Sequence, residues 1–365
     1  MRTWIKTPLA ILADDSVGGL VVEDGIIAEC LPSGGVPAVP CDDVLDASEH
    51  VVLPGLVNTH HHFYQTLTRA YGPALDKELF DWLKTLYPVW AGLTPEYLDV
   101  ATRLALAELL LSGCTTAADH HYVFPGGLEE AVDIQAGAAR DMGVRVTLTR
   151  GSMNLSVDDG GLPPVTVVQD GDVILADSAR VIDAFHDSAA GSMTQIALAP
   201  CSPFSVTREI MSDTAALAAD RNVRLHTHLA ETEDENAFCT EMFGCRPLDY
   251  LEQVGWLNDR TWLAHGIHFT PDEISRLGTA GVGIAHCPGS NMVLASGLCP
   301  AIDLERAGAP VGLGVDGSAS EDASNLMQEA RQALQIQRLR YGAASVSHKD
   351  VLRWATAGSA RCLGR

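Results

Sequence analysis

The chain has 365 residues, 47% of them hydrophobic and 19% charged, which is enough for one large, well-cored domain and a smaller one. A formal charge of −23 repels polyanions, so nucleic acid and anionic membrane are excluded as partners. Nine cysteines without a C-x-x-C pair fit reduced thiols and a cytoplasmic location, and neither an 18-residue apolar run nor a secretory leader is read.

Residues 1 to about 50 hold short strand-like runs at 9–13, 19–22 and 26–29, broken by Asp-Gly and Gly-Gly turns. Residues 1–53 are therefore expected to form a small β half-domain that needs a larger body to pack on. A βα alternation fills the main domain, 54–365, and its first strand begins at the boundary. Apolar, β-branched runs predict strands at 51–60, 114–121, 144–151, 195–202, 223–231, 261–268, 281–288 and 309–317. Helical periodicity marks 95–111, 128–142, 207–221, 272–280 and 325–341. Eight buried strands separated by helices predict a closed (β/α)8, TIM-like barrel, with its chemistry at the C-terminal ends of the strands. Residues 157–172 read as a long surface excursion.

Histidines gather at those strand ends. The first barrel strand runs into His60-His61-His62. On an extended backbone residues i and i+2 share a face, so His60 and His62 project together while His61 points away. His226 and His228 end another strand with Glu231 three residues on, His265 ends a third, and Asp316 ends a fourth. His60, His62, His228 and Asp316 offer three imidazole nitrogens and one carboxylate oxygen. Zinc accepts that set, and Fe(II) is the alternative. Water on such a metal is acidified to a pKa of about 7, which makes metal-assisted hydrolysis the expected chemistry. Two-metal barrels commonly bridge their ions with a modified lysine at the end of the fourth strand. Residues 195–201 contain no lysine, so one metal per chain is expected.

Glu231 beside the metal could carry a proton to a substrate nitrogen and on to a departing amine. Its plain structural alternative is an acid at a helix N-terminus. Asp316 could double as general base, and His265 could orient the attacking water or polarise the substrate. His226 reads as support or core, and His61, His268 and His286 as residues of the fold. Gln65 and Cys201 follow or end strands near the metal and are candidate substrate contacts. Eight of the 21 aromatics lie between Phe63 and Tyr97, including Trp82, Tyr87 and Trp90. They either lid the site and stack on a flat heterocycle or pack a helix on the barrel. The G-x-G-x-x-G match from Gly312 to Gly317 lies inside a strand and is not read as a nucleotide loop. The H-x-E…P-C-x-x-C pattern of the cytidine-type deaminases is absent.

With those residues placed, several segments resemble the amidohydrolase superfamily in its mononuclear aminohydrolase branch. They are Pro54-Gly55-Leu56-Val57-Asn58-Thr59-His60, His228-Leu229-Ala230-Glu231, Ala264-His265, His286-Cys287-Pro288-Gly289-Ser290-Asn291 and Gly314-Val315-Asp316-Gly317-Ser318-Ala319-Ser320. The resemblance covers nearly the whole chain. It implies one zinc held by His60, His62, His228 and Asp316, with proton transfers carried by Glu231, His265 and Asp316. The stretches 60–69, 87–90, 119–122 and 200–205 are similar to a subgroup that deaminates 8-oxoguanine to urate and ammonia. Guanine, isoxanthopterin and a hydroxytriazine stay open as substrates of the same machinery, and a binding barrel without chemistry is the remote alternative. The expected partner is thus a small heterocycle, and barrels of this size often form homodimers. Family members return after the last barrel helix to complete the small β domain, whereas this sequence stops at Cys362-Leu363-Gly364-Arg365. The N-terminal strands are accordingly expected to lack their usual partners and to expose their edges.

Overall fold

The N-terminal segment folds as six short strands: β1 (Arg2–Lys6), β2 (Ala10–Ile11), β3 (Gly19–Glu23), β4 (Ile26–Leu31), β5 (Asp43–Asp46) and β6 (Val51–Val52). Four of them form a sheet in the order β4-β3-β1-β5, while β2 and β6 pair with each other. Leu20, Val21, Leu31 and Ala47 are buried here, whereas Ile26, Ile27, Val44 and Leu45 are each more than half exposed. The computed structural model describes residues 1–365, which divide into two units, Met1–Gly55 and Leu56–Arg365.

The first expected barrel strand is shorter than its sequence suggests. Val51 and Val52 pair in parallel with Ala10 and Ile11 in the small unit. Pro54, with no N–H to give to a ladder, separates them from β7 (Leu56–Asn58), where the barrel begins. The other barrel strands are β8 (Cys114–Asp119), β9 (Arg145–Ser152), β10 (Thr194–Pro200), β11 (Arg224–Leu229), β12 (Thr261–His265), β13 (Gly283–His286) and β14 (Val311–Leu313). They form a closed eight-stranded barrel in sequence order. Every neighbouring pair is parallel, and the ring closes through Leu313 opposite Asn58. This is the (β/α)8 architecture.

Such strands are covered by the barrel interior on one side and by helices on the other, which is why they read as continuous apolar runs. Val57, Ala118, Ala197, Trp262 and Ala285 pack together in one cluster. Leu106, Leu109, Val132, Val181, Ile182 and Ile210, from the helices, join a larger cluster with the strands. The helix Pro95–Leu111 begins at Thr94, whose hydroxyl accepts from the Tyr97 N–H. The helix Pro271–Ala280 begins with a capping box between Thr270 and Glu273 and stops at Gly281 in the left-handed conformation. Residues 157–172 are less loose than expected. They make two 3-10 turns that bury Val167, and at Asp170 they cap the helix Gly171–Phe185. No helix is long and apolar enough to cross a membrane, and all nine cysteines are unpaired.

Candidate metal centre and active site

The residues singled out at the strand ends converge, but mostly from loops just beyond the ladders. His60 and His62 follow β7 by two and four residues, Glu231 follows β11 by two, and Asp316 follows β14 by three; His226, His228 and His265 lie inside strands. The extended-strand argument for His60 and His62 therefore does not fix their direction. Hydrogen bonds across the barrel mouth do. Ala230, His265 and Asp316 all have positive φ, 54°, 69° and 63°, at a cost of about 1–2 kcal/mol each for a residue with a Cβ. The Asp316 N–H bonds to the His60 carbonyl (3.1 Å), and the Ala230 carbonyl accepts from Ile267 and His268, which holds these turns in place. Gly314 lets the chain close against the first loop, because a Cβ there would lie 2.7 Å from the Cβ of His60.

The imidazole tautomers follow from their partners. A carbonyl oxygen only accepts, so a ring nitrogen bonded to one must carry the proton. His62 Nδ1 lies 2.7 Å from the His120 carbonyl and His228 Nδ1 lies 2.7 Å from the Cys201 carbonyl. His226 Nδ1 lies 2.9 Å from the Trp262 carbonyl. Its Nε2 must then accept, and it does so from His60 Nδ1 at 2.8 Å. All three of His60, His62 and His228 thus turn an Nε2 lone pair inward. His62 Nε2 and His228 Nε2 are 3.2 Å apart, and Asp316 Oδ1 lies 3.2 and 3.3 Å from His60 Nε2 and His62 Nε2. Burial pushes His60 down to about 4 and His228 well below its ordinary value, so neither supplies a proton to relieve these contacts at neutral pH.

Acceptors brought this close in successive pairs repel one another unless a cation sits beside them. Tetrahedral coordination with bonds of about 2.0–2.1 Å gives ligand–ligand edges of about 3.3 Å, which matches the His62–His228, His60–Asp316 and His62–Asp316 separations. The donor set therefore fits a zinc-type ion. His120 was not singled out as a site residue, yet its carbonyl fixes His62, and its ring stacks on His228 with centroids 4.7 Å apart. A ring nitrogen of His120 also lies within 4.8 Å of nitrogens of His60, His62 and His228.

Beside this cluster His265 bridges two acids, with Nε2 at 3.5 Å from Glu231 and 3.8 Å from Asp316 Oδ2. Its Nδ1 bonds to Asn291 Oδ1 at 2.8 Å. Burial opposes charge on His265, but Glu231 and Asp316 hold its pKa above the ordinary value. Burial raises the Glu231 carboxyl, and Asp316 adds to that while His265 opposes it. Burial acts to raise Asp316 too, yet the imidazoles of His60, His62 and His265 around it hold it well below the carboxylate range. Glu231 is not the first acid of the following helix. Both backbone N–H groups of Ala230 and Glu231 are clamped by the Glu235 carboxylate (2.9 and 3.1 Å), and the Glu231 carboxyl turns to His265 and Ser296.

A pocket opens over the cluster, lined by His62, His228, Glu231, His265 and Asp316 together with Gln65, Cys201, Tyr122, Trp82 and Phe204. The aromatic segment is divided between pocket wall and packing. Trp82 walls the pocket from the helix Leu79–Trp90, while Tyr87 and Trp90 are buried in the cluster behind it. His61 bonds to Ser324, His286 to Gln337, and His268 to Glu233 and the Ser296 carbonyl; none lines the pocket. Asn291 and His120 fell within the family-like segments but were given no role, and Glu235 was not singled out, because positioning residues carry no spacing signal of their own.

Residues 51–365 match the model of the amidohydrolase family. The chain belongs to that family. As an amidohydrolase it is 66% identical to an 8-oxoguanine deaminase of Pseudomonas aeruginosa, over 100% of this chain and 82% of that protein. It is 38% identical to a hydroxydechloroatrazine ethylaminohydrolase of a Pseudomonas species, over 88% and 68% of the two chains. Among solved structures it resembles an atrazine chlorohydrolase from Arthrobacter aurescens complexed with zinc, with a TM-score of 0.93 and 31% identity, covering 100% of this chain and 83% of that one.

Proposed function

We propose that this amidohydrolase is a zinc-dependent deaminase that converts 8-oxoguanine and water to urate and ammonia. The observation that carries the reading is the inward convergence of three Nε2 lone pairs and Asp316, with Glu231 and His265 alongside. The substrate is suggested by the 66% identity to the deaminase of that ring.

His60, His62, His228 and Asp316 would hold one zinc, which when bound supplies the Lewis acidity that makes hydroxide available near neutral pH. Asp316, through the oxygen that faces His265, takes the proton released by the attacking water. Burial favours the protonated form of the Glu231 carboxyl, the form that delivers a proton to the ring nitrogen beside the attacked C2. A C–O bond forms at C2; Glu231, its first proton given, takes the proton of the new C2 hydroxyl and passes it to the exocyclic amine. The C–N bond breaks, ammonia leaves from the C2 carbonyl, and the proton held by Asp316 returns to Glu231. His265, fixed by Asn291, orients the water and balances the two acids. Gln65 and Cys201 contact the heterocycle, and Trp82 lies against its face.

The test is ammonia release and urate absorbance from 8-oxoguanine, guanine, isoxanthopterin and hydroxytriazine with zinc-loaded protein. Stoichiometric urate and ammonia from 8-oxoguanine at the highest kcat/KM is expected. Chelation should abolish turnover and added zinc restore it. Glu231→Gln should keep its zinc and lose about 100- to 10,000-fold in rate; full activity in that variant removes Glu231 from the mechanism.

A further inference from the structure

At the opposite end of the barrel, around the N-terminal ends of β9, β10, β11 and β12, lies a second polar cavity of about 210 Å³. Thr147, His186, Gln195, Asn222, Arg224 and Arg260 line it, and no acidic side chain does. Arg145 and Arg365 stand beside it, bonded to the Ser192 carbonyl, with Arg365 also reaching Thr147.

These four arginines give their protons to neutral acceptors. Arg145 bonds to the carbonyls of Ser192 and Gly191, and Arg224 to the Asp259 carbonyl at 2.9 Å. Arg260 bonds to Asn222 Oδ1 at 3.0 Å and the Val223 carbonyl at 3.2 Å. Arg365 bonds to Thr147 Oγ1 and to the carbonyls of Ser192 and Val146. Arg224 Nε is fully buried without any partner. The chain has 47 acidic residues against 24 basic ones, so a cavity lined by two arginines and no acidic side chain needs a reason. A desolvated guanidinium costs free energy unless a counter-charge and an acceptor reach it.

We propose that this cavity binds a phosphate-type oxyanion, with Arg224 and Arg260 as its charged donors. Planar guanidinium forks match the paired oxygens of such an anion, and Asn222 and Thr147 add neutral polar contacts. Burial lowers the Arg224 pKa, with Cys362 and Asp259 acting against it and Arg260 in the same direction. Burial, with Arg145 nearby, brings Arg365 down to about 10. A bound anion would reverse both. The cavity lies away from the pocket over the metal ligands, so the anion and the heterocycle bind independently in space.

The experiment is equilibrium dialysis of labelled inorganic phosphate against the zinc-loaded chain, with thermal unfolding in phosphate and in chloride at equal ionic strength. The chloride arm matters because any salt screens repulsion in a chain of charge −23. One phosphate per chain is expected. At ten times its Kd the folded-to-unfolded ratio should rise about elevenfold beyond chloride. Arg260→Gln should lose both the binding and the excess stabilisation, and so should Arg224→Gln. If Arg224→Gln fails to fold, Arg260→Gln alone decides. Phosphate held at the metal centre would survive Arg260→Gln, so binding retained in that variant overturns the proposal. A wild-type chain that responds to phosphate no more than to chloride overturns it equally.

Discussion

The lone pair of His60 is aimed by a side chain that never touches the metal site, and His226→Leu tests this directly. In the parent chain His226 Nε2 accepts the His60 Nδ1 proton at 2.8 Å, and the Trp262 carbonyl at 2.9 Å fixes the tautomer of His226. His60 and His226 are buried, so no solvent replaces the lost acceptor. Without metal, His60 in the variant can move its proton to Nε2. Binding a cation forces that proton back to Nδ1, where it has nothing to bond. The penalty of an unsatisfied buried donor, about 1–3 kcal/mol, therefore appears in metal affinity as well as in stability. That corresponds to a loss of about 5- to 160-fold, and outer partners of metal-binding histidines typically contribute about 10- to 100-fold. A competition titration of zinc against a chromophoric chelator reads this constant for parent, His226→Leu and His226→Gln. The glutamine carbonyl can accept the same proton, so part of the affinity should return. Zinc affinity in His226→Leu within twofold of the parent would falsify the relay and the tautomer assignment built on it.

Asn291→Leu removes the acceptor for His265 Nδ1; kcat should fall at least about fivefold with zinc content unchanged by metal analysis, and unaltered kcat would leave His265 positioned by other means. Trp82→Ala opens the pocket wall and should raise KM about 2- to 13-fold, the worth of one aromatic contact of about 0.5–1.5 kcal/mol, with kcat less affected. Burial raises Asp119 from 3.8 to about 7 in the metal-free chain, so the folded state keeps a proton that the unfolded state loses. Stability from this group is full below about pH 4, falls as pH rises toward about 7, and is level above that. Urea unfolding of Asp119→Asn across that range should show a shallower decline than the parent, and an identical slope would remove Asp119 as its source.

Much of this was legible along the chain because it is local. Continuous β-branched runs separated by amphipathic helices are what a parallel barrel requires, and all eight strands stand where the pattern put them. The first was overextended, since Val51 and Val52 have strand composition but Pro54 cuts them from Leu56. The charged and imidazole residues of the candidate centre were legible for the same reason, because strand C-terminal ends lie together in this architecture whatever their separation in sequence. Asn291, Glu235 and His120 were not legible as positioning residues. Their effect depends on which atom of a distant residue they meet, and an asparagine that holds an imidazole looks like any other asparagine.

The sequence by itself determined the barrel, the identity of the converging side chains and the absence of a lysine suited to bridging two metals. Those follow from composition and periodicity, which act over a few residues. Only the tertiary structure decided which nitrogen of each histidine faces inward. The His60 proton is placed by His226, 166 positions away, and the Nδ1 protons of His62 and His228 by the carbonyls of His120 and Cys201. Only the fold, too, holds His265 and Asp316 at positive φ, because a conformation disfavoured for any residue with a Cβ persists only where contacts from other strands outweigh its cost.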